Sequence, residues 1–89
     1  MLLPEEQYAI EARLNLTLGA VDYDSVFLGF SVEELANDGI LHVCARNEWC
    51  AGLIEARYSY ELAIAAEAEL RKPVSFVNVL PRELRIPSV

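Results

Sequence analysis

Leu41-His42-Val43-Cys44-Ala45-Arg46-Asn47-Glu48-Trp49-Cys50 is the stretch whose reading decides the fold. An apolar β-type run, opening at Ile40, passes without a linker into Asn47. Asparagine caps helices well because its side-chain oxygen accepts an orphan amide of the first turn. Glu48 then occupies a position where the helix dipole favours negative charge. Beyond it Cys50, Leu53, Ile54, Tyr58, Leu62, Ala65 and Ala66 recur at helical spacing. A long helix is therefore predicted to run unbroken to Pro73, with this stripe facing a sheet. Trp49 comes one position too early for the stripe. Either it folds back over the helix start onto the domain, or it is presented to another protein.

Upstream, Pro4 suits the first turn of a helix, and Glu5 and Glu6 favour its positive end. Leu3, Gln7, Ile10, Leu14 and Leu18 keep helical spacing, and Gly19 is suited to an αL cap, so a first helix is predicted from Pro4 to Leu18. Residues 22–29 read as a second helix of about two turns, stopped by Gly29. Residues 30–35 read two ways. Phe30 and Val32 alternate with polar residues as in a half-buried strand, whereas Ser31-Val32-Glu33-Glu34 is also a capping-box pattern. The turn chemistry of Asn37-Asp38-Gly39 favours a hairpin into the run at Ile40. Val74, Phe76, Val77 and Val79 read as a last strand. The expected class is α+β in the order α-α-β-β-α-β, with helices covering one face of a three-stranded sheet. Residues 1–80 would form one domain. Residues 81–89, with Pro81 and Pro87 and no amphipathic pattern, would be a tail or the start of a linker.

Composition narrows the function. Eighty-nine residues support one core, and 54% hydrophobic with 24% charged residues is ample for folding. A net charge of -7 opposes binding to nucleic acid, which needs clustered cations; Arg13, Arg46, Arg57, Arg71, Lys72, Arg82 and Arg85 are scattered. A protein partner is expected instead. No apolar run reaches the length of a membrane span, and no signal-peptide pattern precedes Glu5. Two cysteines make no disulfide framework and suit a reducing, cytoplasmic compartment.

Catalytic patterns are missing. His42 is the single histidine, and no nucleophile can be assigned to it. His42, Cys44 and Cys50 are potential zinc ligands, but strand and helix geometry scatters them and no fourth ligand is evident. Glu5/Glu6 and Glu33/Glu34 read as solvated faces, and the isolated glycines form no phosphate loop. No catalytic residue, metal or cofactor is predicted. The alternative readings are a K-homology single-stranded nucleic-acid-binding domain, although it would need a GXXG loop that the chain lacks, and a stand-alone adaptor of the same fold.

Eleven positions separate Trp49 from Tyr60, which on a straight helix places them about 20° and roughly 16 Å apart, with Ala56 and Ala63 on the same line. An aromatic pair across small residues has the character of an interface hot spot. Tyr23 and Asp24 of the second helix are candidates to extend it.

At these residues the chain resembles the N-terminal domain (domain I) of the bacterial replication initiator DnaA. That family's pattern is a strand of the type L-x-L-x-A-P-N, an aromatic, and a helix with apolar pairs and a tyrosine. Here it reads Leu41-His42-Val43-Cys44-Ala45-Arg46-Asn47, then Glu48-Trp49, Leu53-Ile54 and Arg57-Tyr58. The resemblance implies a K-homology-like variant fold and a non-enzymatic docking module. Its implied partners are the replicative helicase and regulators of initiation, with self-association besides. It assigns helicase contact to Trp49 beside Asn47 and Glu48, and a second contact to Asp24 or Asp22. Self-association in the family uses a first-helix tryptophan; Gln7 and Tyr8 occupy that region here. The chain departs from the family at Arg46, where a proline is usual, and at residues 26–28, which lack the usual tryptophan.

Overall fold

The computed structural model describes residues 2–82. Helix α1 spans Pro4–Leu18 and α2 spans Ala20–Phe27. Strand β1, Ser31–Leu35, turns into β2, Ile40–Ala45. A long helix follows in three parts: α3, Glu48–Leu53; a π turn, Ile54–Tyr58; and α4, Ser59–Leu70. Strand β3, Phe76–Pro81, is the last element, followed by Arg82, and residues 83–89 of the expected tail lie outside the described residues. The fold is α+β. Its sheet has the order β1-β2-β3, with β1 antiparallel and β3 parallel to β2.

Local chemistry explains most boundaries. The Glu6 carboxylate accepts the Leu3 amide at 2.9 Å, closing the first turn of α1. Gly19 stops that helix with φ 86 and ψ 153, an extended conformation open to glycine, rather than in the expected αL geometry. It serves at once as N-cap of α2, which therefore begins two residues earlier than predicted. Residues 31–35 resolve as a strand because the turn pairs them with β2, and Phe30 lies just before it. The Gly39 amide donates to the Ala36 carbonyl, and Gly39 at φ 87 returns the chain to the ladder. At the far end Arg71 adopts the left-handed conformation and Pro73 disfavours helix at Lys72, so α4 stops at Leu70 and not at Pro73.

All helices lie on one face of the sheet. Leu41, Val43, Val77 and Val79 meet Ile10, Leu14, Phe27, Ile54 and Leu62 in a core sealed from water. An aromatic cluster closes one side, with Phe27 edge-on to Phe30 at 4.9 Å and to Tyr58 at 5.6 Å. Among the described residues no helix is long and apolar enough to cross a membrane.

The π turn corrects the prediction of an unbroken α-helix. Cys50, Ile54, Tyr58, Leu62 and Ala66 recur every four residues. On a straight α-helix each such step advances about 40°, so the last would point about 160° from the first. One extra residue in the π turn removes about 100° of that drift and gathers all five within about 80°. Cys50, Ile54, Leu62 and Ala66 are all fully buried as a result. The same insertion separates Trp49 from Tyr60 by about 80° in place of the expected 20°.

Two stability measurements follow. A Cβ at Gly39 would lie 2.8 Å from the Ser75 Oγ, whereas one at Gly52 meets nothing within 4 Å. In urea unfolding Gly39→Ala is expected to destabilise by about 1–2 kcal/mol, and Gly52→Ala to stabilise by about 0.5–1 kcal/mol. Ala56 is exposed within the π turn, yet its deletion would force α geometry and swing half of the stripe out of the core. That deletion is expected to destabilise by about 2 kcal/mol or more, as truncating a core side chain does.

Candidate docking site

Asn47 leaves β2 in an extended conformation, and its Oδ1 accepts the Cys50 amide at 2.8 Å. The cap read from the sequence is made. It sets the direction of the first turn, so Cys50 and Ala51 enter the core while Glu48 and Trp49 face outward. Trp49 is 64% exposed. Its indole therefore contributes little of the roughly 2–3 kcal/mol that burying a large apolar side chain supplies.

Arg46, between strand and cap, ties the second helix to this turn. Its Nη2 donates to the Ser25 carbonyl at 3.1 Å and to the Cys50 Sγ at 3.3 Å. A Cβ at Gly29 would stand 3.6 Å from the Arg46 Cβ, so the stem of Arg46 lies along that glycine. From the end of β3, Arg82 donates to the Gly29 carbonyl at 2.5 Å. Arg46 thus fastens α2 to the strand-to-helix junction, and Arg82 fastens the turn after α2 to the end of β3. Asp24, exposed, directly precedes the anchored Ser25.

The remaining candidates separate. Tyr23 is half-buried and stacks on Phe27 at 5.6 Å with 13° between the rings, so only part of its ring adjoins the surface. Burial, followed by the negative charges of Glu11 and Asp24, pushes its phenol up to about 12. Burial also raises the Glu11 carboxyl above its ordinary value. Tyr60 is 72% exposed but belongs to a different surface, a shallow groove of about 330 Å³ shared with Glu55, Ser59, Ala63 and Phe76 beside β3. The sequence places Phe76 in the last strand but not among the site candidates, although its alternation with Val77 and Val79 assigns it to the other face of that strand. Of the two self-association candidates, Gln7 is half-buried, with its Nε2 3.5 Å from the Leu2 carbonyl, and Tyr8 is 69% exposed.

The residues considered for chemistry have structural surroundings. His42 Nδ1 lies 3.2 Å from Asn78 Nδ2 across the β2–β3 register, on the face opposite the helices. Cys44 is buried, and Cys50 sits in the core on the helix side. The three do not converge, and no group of three metal-ligating side chains exists among the described residues. Glu33 accepts from the Ser31 hydroxyl. No protein-family model matches the chain, and no curated protein matches it as a relative.

The Tyr23 environment is open to measurement. The folded state holds the Tyr23 proton more tightly than the unfolded chain, whose tyrosine titrates near 10. The stability this supplies is complete below about pH 10 and is lost as pH rises towards 12. Absorbance titration of the native chain against Tyr23→Phe should isolate one phenol ionising near 12, and the variant should lose less stability across that window.

Proposed function

We propose that this chain is a non-enzymatic docking domain, similar to domain I of the replication initiator DnaA, which acts in the cytoplasm to engage the replicative helicase and regulators of initiation. The observation that carries the reading is the exposure of Trp49 on the first turn of a helix capped by Asn47. A tryptophan held in water on a rigid helix start presents a large apolar area with little conformational freedom left to lose on binding. Glu48 and Asp24 place negative charge on the exposed surface of this end of the domain, which favours a partner with basic groups around an apolar pocket. Arg46, which stands where the family has proline, supports the same surface by a different device: it holds α2 in place through the Ser25 carbonyl. Tyr8, exposed on α1, is the residue through which self-association would run.

Trp49→Ala tests the reading by calorimetric titration of the full chain against purified replicative helicase. Affinity is expected to fall about ten-fold or more, as for an interface hot spot, while thermal stability changes by no more than about 0.5 kcal/mol. Unchanged affinity in a folded variant would reject the proposal. A large loss of stability would instead return Trp49 to a packing role.

A further inference from the structure

The sheet has two edges, and they are built differently. Strand β1 carries a bulge between Val32 and Glu34 and presents two carboxylates, devices that discourage another strand from pairing. Strand β3 has neither. Its pairing with β2 runs without irregularity from Phe76 to Pro81, and residues 76–80 contain no charge. Among the described residues β3 is paired on one side only, so alternate backbone amides and carbonyls face outward.

Side chains on both faces of that edge remain in water. Phe76 and Leu80, on the face without helices, are 57% and 43% exposed. On the helix side, Tyr60 lines the groove that runs beside Phe76, together with Glu55 of the π turn and the small Ser59 and Ala63. We propose that the open edge of β3 is a second docking site, separate from Trp49, which takes up an extended segment of a partner protein as a fourth strand. Strand addition satisfies the outward backbone groups, and alternate side chains of the guest supply specificity. The guest is apolar where it lies over Phe76 and Leu80. It is basic at the intervening positions, where an aliphatic stem lies on Tyr60 and its charge meets Glu55.

A second copy fits less well. Antiparallel pairing of two β3 strands would bring the Lys72 end of one toward the Arg82 end of the other, and would join two bodies each of net charge -7.

The test is an amide-shift titration of the full chain with the capped peptide acetyl-Val-Lys-Val-Lys-Val-amide. Perturbations are expected along residues 76–80 and at Tyr60, unchanged in a Trp49→Ala background. A peptide with alternate backbone nitrogens methylated should bind about ten-fold or more weakly, because it cannot complete the ladder. Glu55→Gln, or glutamate in place of the peptide lysines, should weaken binding several-fold. Three outcomes would overturn the inference: no perturbation at millimolar peptide, perturbation centred on β1 or Trp49, or concentration-dependent shifts of β3 amides without peptide. The last would assign the edge to a second copy.

Discussion

Parallel pairing of β2 with β3 obliges the chain to travel the length of the sheet and return before the second strand can begin. Six residue pairs, from Ile40 with Phe76 to Ala45 with Pro81, depend on that return. The helix over residues 48–70 makes it, and it can do so only while one stripe of its surface stays against the sheet. A four-residue repeat of apolar positions is too long a period for a straight α-helix, so the π turn restores the phase. The core under the helix is continuous because of that single inserted residue, with Ile54 on one side of the insertion and Leu62 on the other.

The surface inherits this correction. Trp49 precedes the π turn and Tyr60 follows it, so two aromatics that share a line in the sequence belong to different faces of the domain. One stands on the first turn beside Asn47, in the turn that Arg46 ties to α2. The other lines the groove beside β3. Exposed aromatic area adds nothing to folding, and the domain tolerates it because the core draws on all three helices and all three strands. Both surfaces are held by elements whose own contacts are rigid: the Asn47 cap, the Arg46 bridge to Ser25 and the uninterrupted β2–β3 ladder.

Much of the fold was legible where a boundary has a local chemical cause. Pro4 and Gly19 bracket α1 as predicted, Asp38-Gly39 turns the hairpin, and Asn47 caps the long helix. Misreadings occur where a distant contact decides. The sequence does not show that the Tyr23 ring packs with Phe27 and Phe30, which leaves it half-buried. Pro81 looked like the first residue of a tail, yet it pairs with Ala45 at the end of β3. The π turn had a visible signal in the every-fourth-residue stripe from Cys50 to Ala66. That pattern is decisive only once the stripe is known to face a single flat partner.

Local chemistry in the sequence determined the order of elements, the α+β class, and the presence of a tryptophan at a capped helix start. These depend on residues within one turn or one hairpin of each other, so the chain encodes them at short range. The tertiary structure alone decided that Trp49 is exposed, that Tyr23 is half-buried in the aromatic cluster, and that Tyr60 shares a groove with Phe76. Exposure is a property of what packs against a side chain from elsewhere in the chain. Here it was settled by the Asn47 cap that turns Trp49 outward, by the aromatic cluster that takes up part of the Tyr23 ring, and by one extra residue in a helix turn.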